Sequence, residues 1–196
     1  MYNKYIMPFK ANLLEIKNKH HCEIYLETGL YKLRKESSIN KALMCEFDKV
    51  YSIELEKKWI DYAYPQLTEL INSNKCELIH DDSANLEKYI VNNKNFEEKK
   101  VLFFLDAHID NNEITTKHIF KCPVIAELKA IKKLTRNDHI ICIDDMRYIK
   151  TTTPWGETQF KDYYGEMINV LKDINSEYKV DFIEGIIEKD LLIAYV

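Results

Sequence analysis

VLFFLD, residues 101–106, is the stretch that decides the fold: a run of apolar residues that ends in an acid. Because its odd and even positions are equally apolar, it is typical of a central strand that helices cover on both faces. Residues 139–144 (HIICID) show the same pattern. Together the two segments predict the middle of a buried parallel sheet.

Shorter strand-like segments flank these two and alternate with helical patterns. We predict further strands at residues 22–27, 49–54, 76–80, 178–184 and 190–195. We predict helices at residues 37–45, 56–72, 84–91, 123–134 and 158–174, with Pro65 kinking or interrupting the second of them. The last two strands are joined too briefly for a crossover, which indicates an antiparallel pair.

These elements predict an α/β fold: a doubly wound sheet of about seven strands with helices on both faces. The sheet is expected to be mostly parallel, with an antiparallel edge hairpin at its C-terminal end. We expect a single domain over residues 1–196. Within it, residues 1–21 are an N-terminal helical extension, residues 22–150 a cofactor-binding core, and residues 151–196 a C-terminal helix and strand pair.

Composition excludes several classes of protein. The formal net charge is −4, and only Arg34, Arg136 and Arg147 are arginines, so we expect no nucleic-acid partner. The five cysteines are scattered and form no CxxC pair, which predicts reduced thiols. There is no signal-peptide pattern and no apolar run long enough to span a bilayer. We therefore expect a cytoplasmic protein without a membrane partner, and composition does not predict its oligomeric state.

Acids close most of the predicted strands. The acids at or just after the strand ends are Glu27, Glu54, Asp81, Asp82, Asp106, Asp144 and Asp145. In parallel α/β sheets, ligands bind beyond the carboxyl ends of the strands. Crowding like charges along one edge does not help folding, so the pattern predicts a ligand site there.

Each acid has a functional and a structural interpretation. Glu54, after the second strand, is well placed to accept two ribose hydroxyls, or it is simply a solvated strand end. Asp82 either contacts a cofactor or only caps a helix. Asp106, Asp144 and Asp145 form a set of oxygen donors suited to Mg²⁺, with substrate binding or proton acceptance as the rival role.

A histidine and several loop aromatics complete the candidate site. His108 follows Asp106 by two positions and is a candidate general base or substrate ligand, although a lone histidine is more often structural. The side chains of Tyr31, Arg147, Trp155 and Tyr164 are candidates for lining the mouth of the site.

Five short motifs appear in order along residues 22–150. They are Glu27-Thr28-Gly29-Leu30-Tyr31, then YSIEL at residues 51–55, Asp82-Ser83, LDAH at residues 105–108 and IDD at residues 143–145. The ordered set resembles class I S-adenosylmethionine-dependent methyltransferases with a Rossmann-like fold, and among them small-molecule and sugar O-methyltransferases.

The resemblance implies a role for each motif. Cofactor-binding residues would be Glu27, Thr28, Gly29, Tyr31, Glu54, Asp82, Ser83 and Asp106. Within that set, Glu27 and Gly29 would lie by the methionine part of S-adenosylmethionine and Glu54 by the ribose. Asp82 and Ser83 would border the adenine. The catalytic residues would be Asp106, His108 and Asp144, and Asp106, Asp144 and Asp145 would hold a divalent metal ion such as Mg²⁺.

We therefore expect an S-adenosylmethionine-dependent O-methyltransferase that acts on a hydroxylated small molecule, most plausibly a sugar or glycan. The alternative is a catalytically degenerate binding module that keeps the fold. Its basis is the first loop, where Gly29 is the only glycine and KLRKES (residues 32–37) occupies the rest. A nicotinamide-dependent oxidoreductase is disfavoured because the chain lacks the GxGxxG pattern.

Overall fold

The computed structural model describes residues 11–108, 118–151, 154 and 157–196. Within these residues the chain forms one seven-stranded sheet of order β3-β2-β1-β4-β5-β7-β6. The strands are β1 Ile24–Thr28, β2 Lys49–Glu54, β3 Cys76–His80, β4 Val101–Leu105, β5 Ile140–Ile143, β6 Lys179–Ile183 and β7 Leu191–Tyr195. The predicted fold class is confirmed.

Strand direction also follows the prediction. β1 to β5 are parallel to one another. β7 is antiparallel to both β5 and β6, so it lies between them and leaves β6 at the edge of the sheet. The short connection between β6 and β7 allows only this antiparallel arrangement.

The helices surround this sheet. They are α1 Leu13–His20, α2 Ser38–Met44, α3 Lys57–Asn72, α4 Glu87–Ile90, α5 Lys94–Glu98, α6 Val124–Ile131, α7 Met146–Ile149 and α8 Tyr163–Ile174, with a 3₁₀ turn at Ser83–Asn85. In the described part of the chain, none of these helices is long and apolar enough to cross a membrane.

The central strand β4 feeds two separate cores. All five of its residues are buried. Val101, Phe103 and Leu105 join the core under α4, α5, α6 and α8. Leu102 and Phe104 join the core under α1, α2 and α3. Alternate side chains of a strand point to opposite faces, so a strand that is apolar at every position is covered on both.

The helices differ from the predicted ones in several places. α3 runs through Pro65, so Pro65 does not interrupt it, and the kink stays a prediction. Pro65 is exposed, so water can hydrate the carbonyl whose amide partner is missing. The helix expected at residues 84–91 is a 3₁₀ turn followed by the short α4, and α5 follows where no helix is predicted. The short helix α7, directly after Asp145, is also not predicted from the sequence.

Gly29 lies where β1 passes closest to the backbone that follows β4. Its φ is +85°, and a Cβ there would stand 2.6 Å from the Asp106 carbonyl oxygen. Its amide donates to the Ile53 carbonyl at 2.8 Å. A left-handed conformation and a backbone neighbour that cannot move aside both require glycine here.

Gly29→Ala should lower the free energy of unfolding by about 2 kcal/mol or more, because the left-handed conformation alone costs an L-residue about 1–2 kcal/mol. For a chain of this size that corresponds to a fall in Tm of about 4–8 °C, measured by circular dichroism. Lys35→Ala, an exposed change in the same loop, is the control and should leave Tm unchanged. An unchanged Tm in Gly29→Ala would contradict the close approach.

Candidate functional site

The carboxyl ends of the parallel strands meet at one edge of the sheet, which we call the rim. Ladder hydrogen bonds continue one residue past the strands, because the Asp106 amide donates to the Thr28 carbonyl at 3.2 Å and the Asp144 amide to the Leu105 carbonyl at 3.1 Å. Glu54 is in register with His80 of β3. The rim therefore brings the predicted acids of neighbouring strands side by side.

Glu27 is an internal anchor of the rim. Its side chain is 1% exposed. Its carboxylate accepts hydrogen bonds from the hydroxyls of Tyr25 (3.1 Å), Ser38 (2.5 Å) and Ser52 (2.8 Å). Burial raises the pKa of Glu27 to about 7, and the three hydroxyl donors oppose that rise. These bonds tie β1, β2 and the start of α2 together; whether Glu27 also meets a ligand stays a prediction.

Glu54 is held by two backbone amides. One carboxylate oxygen accepts from the Tyr31 amide and the other from the Glu56 amide, both at 2.7 Å. Burial raises its pKa, while these two amides act in the opposite direction. A carboxylate oxygen offers two lone pairs, so each can accept one more donor. The two amides therefore fix the orientation of the Glu54 carboxylate, and its binding of ribose hydroxyls stays a prediction.

The bulky side chains of the glycine-poor first loop are either buried in the core or exposed on the surface. Leu30 and Leu33 are buried in the core under α1, α2 and α3. Lys32 and Lys35 are exposed, and the Lys32 ammonium lies 5.6 Å from the centre of the Tyr62 ring. Tyr31 has a φ of +50°, is 39% exposed and lies with its ring centre 4.8 Å from that of Trp59.

Asp82 both caps a turn and holds a second segment. One of its oxygens accepts from the Ala84 amide at 2.9 Å, which caps the 3₁₀ turn. The other accepts from the Ile119 amide at 2.6 Å. Asp82 and the neighbouring Ser83 are almost fully buried. The capping interpretation is therefore correct, and the free lone pairs of Asp82 leave the predicted ligand contact open.

His108 bridges two of the predicted acids. Its Nε2 lies 3.1 Å from an oxygen of Asp145, and its Nδ1 lies 3.6 Å from an oxygen of Asp106. Asp145 adopts a left-handed φ of +59° that turns its nearly fully buried side chain toward His108. The ligand atoms of Asp106, His108 and Asp145 lie within 4.8 Å of one another.

Arg147 and Asp190 extend this cluster. The Arg147 guanidinium lies 2.5 Å from the second oxygen of Asp145 and also contacts the carboxylate of the buried Asp190. The Arg147 amide donates to Asp190 at 2.9 Å. Asp144, Asp145 and Asp190 also bring ligand atoms within 4.8 Å of one another. The predicted metal residues therefore fall into two overlapping groups that share Asp145.

The acids at this end of the rim repel one another. Burial, and then the charges of Asp144 and Asp145, hold the pKa of Asp106 well above its usual range. Burial and the charge of Asp145 likewise raise the pKa of Asp144. The Arg147 guanidinium acts in the opposite direction on both. The cluster therefore favours additional positive charge or a shared proton.

The other predicted mouth residues are only partly placed. Trp155 lies outside the described residues, as do residues 109–117. Tyr164 lines a surface groove beside α8 together with Phe160 and Phe182.

Solved structures with the same architecture come from bacterial O-methyltransferases. TomG from Streptomyces achromogenes, involved in tomaymycin synthesis and solved with S-adenosylmethionine, aligns over 94% of this chain and 77% of its own at 14% identity, TM-score 0.58. An O-methyltransferase from Bacillus cereus, solved with S-adenosylhomocysteine, aligns over 94% and 79% at 14% identity, TM-score 0.57. The chain has the fold of S-adenosylmethionine-dependent methyltransferases. No family model matches the sequence, and no curated protein matches it.

Sequence analysis missed the buried carboxyl of Glu127, which lies on α6 of this methyltransferase fold. Glu127 on α6 is 0% exposed, and neither of its oxygens meets hydrogen-bond geometry with any group in the described residues. Burial raises its pKa to about 7; the hydroxyls of Ser83 and Thr28 lie close enough to oppose the rise, and the Asp82 charge adds to it. Glu127 thus lies beside three predicted cofactor residues.

Sequence signals for the missed residues existed but were weak. Glu127 falls on the same helical face as Val124, Leu128 and Ile131, which are all buried, and a carboxylate on an apolar face is unusual. Asp190 directly precedes the apolar strand β7. Neither pattern identifies the partner of the acid.

Glu127→Gln should stabilise the protein more as the pH rises. The folded state raises the pKa of Glu127 from 4.5 to about 7, so the stability of the wild type is full below pH 4.5 and falls as the pH rises through 7. The rise corresponds to about 3 kcal/mol. Urea titrations at pH 5 and pH 8 should show the variant gaining most of that difference only at pH 8.

The exposed Glu87→Gln is the control, because Glu87 forms only a surface ion pair with Lys133. If Glu127→Gln changes the free energy of unfolding equally at both pH values, the pKa of the Glu127 carboxyl is not raised in the folded state.

Proposed function

We propose that the protein is an S-adenosylmethionine-dependent O-methyltransferase acting on a hydroxylated small molecule, with a sugar or glycan as the methyl acceptor. The observation that carries the proposal is the pair of amides that orient Glu54 at the end of β2, beside the tight Gly29 turn. A fixed carboxylate with free lone pairs fits two ribose hydroxyls. The fold shared with cofactor-bound O-methyltransferases supports the same conclusion.

The chain's residues divide the work in this proposal. Glu54 binds the ribose, Asp82 and Ser83 border the adenine, and the turn from Thr28 to Tyr31 lies by the methionine part. The cofactor supplies an electrophilic methyl group on its sulfonium. His108 accepts the proton of the acceptor hydroxyl, and Asp145 orients the imidazole through Nε2, at 3.1 Å. The rim holds the hydroxyl oxygen in line with the methyl group.

The donor set also fits a divalent cation. We propose that Asp106, Asp144 and Asp145 hold it, because hard oxygen ligands suit Mg²⁺ and the repulsion between these acids is relieved by positive charge. Arg147 already neutralises Asp145 and Asp190 from one side, so Asp106 and Asp144 carry the charge that is left. Such a cation would lower the cost of deprotonating the acceptor hydroxyl.

The alternative of a noncatalytic binding module depended on the glycine-poor loop. In the structure, Leu30 and Leu33 are buried and Lys32 and Lys35 are exposed. This arrangement supports a loop that leaves room for the cofactor, and it favours the enzyme over the binding module.

Glu54→Gln should weaken binding of S-adenosylhomocysteine by about 10- to 100-fold, because one acceptor and the negative charge are lost from two charge-assisted hydrogen bonds. Isothermal titration calorimetry measures the effect. Glu77→Gln on β3, an exposed acid paired with Lys49, is the control and should not change the affinity. If the wild type binds neither cofactor form up to millimolar concentration, with or without Mg²⁺, the proposed function is wrong.

His108→Asn should reduce turnover by about 10²–10⁴-fold, the usual contribution of a general base. The assay follows release of S-adenosylhomocysteine with a panel of sugars, nucleotide sugars and phenols, with Mg²⁺ and with EDTA. Cofactor affinity should be unchanged in the variant. Wild type that binds the cofactor but turns over no acceptor would favour the binding module, and turnover in EDTA would exclude the metal.

A further inference from the structure

The short helix α7 begins after an aspartate that does not cap it. Asp145 occupies the N-cap position, where an aspartate commonly accepts a hydrogen bond from the second or third amide of the helix. Here its side chain makes no such bond. Its left-handed backbone turns the carboxylate toward His108 and Arg147 instead. The amides of the first turn therefore need another acceptor.

Asp190 supplies that acceptor from a distant part of the chain. Its carbonyl accepts from the Met146 amide and its carboxylate from the Arg147 amide, both at 2.9 Å. The Arg147 amide is the second of the helix, so it is one that an N-cap aspartate would take. Asp190 directly precedes β7 and is 1% exposed, which fixes its carboxylate against α7. Asp190 thus caps α7 in place of Asp145.

Asp190 also aligns the guanidinium of Arg147. Its oxygen Oδ2 accepts a hydrogen bond from that group, whereas the contact of Arg147 with Asp145 is an ion pair without hydrogen-bond alignment. The Tyr148 ring covers the guanidinium, with its centre 4.6 Å from the central carbon. Arg147 contacts Asp145 at Oδ1, and the other oxygen, Oδ2, lies 3.1 Å from His108 Nε2.

We propose that Asp190 is a positioning residue for His108, because it leaves the Asp145 carboxylate available to hold the imidazole through Nε2. It does so by capping α7 and by aligning the Arg147 guanidinium on itself. His108 then carries its proton on Nε2 and presents the lone pair of Nδ1 on the side of Asp106. This inference rests on the proposed function, in which His108 accepts the proton of the acceptor hydroxyl.

Loss of the Asp190 carboxylate gives Asp145 two competing partners. The Arg147 amide is left without an acceptor, and the guanidinium is no longer aligned elsewhere. Asp145 satisfies both by turning away from His108, since charge-assisted hydrogen bonds are stronger than neutral ones. Asn at this position keeps one oxygen for the Arg147 amide, so it retains the cap.

The test follows the imidazole proton on Nε2 of His108 by nuclear magnetic resonance, with isotope-labelled histidine, in EDTA at about pH 8, where histidine is neutral. The His108 signal is the one that disappears in His108→Asn. We expect wild type to carry the proton on Nε2. Asp190→Ala should speed its exchange with water at least about tenfold, because the bond to Asp145 is lost. Asp190→Asn should stay within about threefold of wild type.

A matched control separates this effect from a general loss of stability. Asp162 caps α8, where its carboxylate accepts from the Gly165 amide at 2.9 Å. Asp162→Ala therefore also removes a helix cap, and it should leave the exchange of the His108 proton unchanged. If Asp190→Ala does not fold, Asp190→Leu, which is similar in shape to aspartate and has no acceptor, provides the same comparison.

Kinetics give a second measurement. Asp190→Ala should lower kcat by about 10- to 100-fold, a part of what a general base contributes, with KM and the affinity for S-adenosylhomocysteine unchanged. In the His108→Asn background it should cause no further loss, because both substitutions remove the same function.

The results separate this inference from the proposed function. The inference is overturned if the wild-type imidazole carries its proton on Nδ1, or if Asp190→Ala changes the exchange no more than Asp162→Ala does. It also fails if the effects of Asp190→Ala and His108→Asn on kcat multiply. If the proton behaves as expected but wild type turns over no acceptor, the positioning of His108 stands and the proposed function is wrong.

Discussion

The carboxyl ends of the parallel strands meet at a single rim, and acids follow most of them. Everything at the site depends on how that negative charge is accommodated. Because β1, β2, β4 and β5 run in the same direction, their carboxyl ends all lie at the same edge of the sheet. Both faces of this sheet are covered, so the acids at the strand ends collect at that edge. The fold thus forces carboxylates together that would otherwise avoid one another.

The chain pairs some of these acids with hydrogen-bond donors or positive charge, and it leaves others with raised pKa values. Glu27 receives three hydroxyls and Glu54 two amides. Asp145 lies between His108 and Arg147. Asp106 and Asp144 keep raised pKa values, and Glu127 lacks a partner in the described residues. Asp106 and Asp144 lie where, in the proposed function, an acceptor hydroxyl or a cation would arrive, and this is the physical basis of the proposed chemistry.

Apolar periodicity was sufficient to predict the sheet, because strands buried on both faces have a distinctive pattern, as in β4 and β5. It also predicted which acids would share the rim, since parallel strands end at the same edge. Contacts between distant segments were not predictable. Arg147 and Asp190 are 43 positions apart and meet only because β7 inserts beside β5. The burial of Glu127 was not predictable either, because it depends on how α6 packs against the 3₁₀ turn that contains Ser83. Pro65 does not interrupt α3 because that face of the helix is exposed.

A crystal structure of the protein with S-adenosylhomocysteine tests the central claim most directly. We expect ligand density along the rim, with both ribose hydroxyls on the Glu54 carboxylate, the methionine part beside Gly29 and the adenine edge at Asp82 and Ser83. Crystals grown or soaked at millimolar ligand that show an empty rim, or a ligand bound elsewhere, would contradict it.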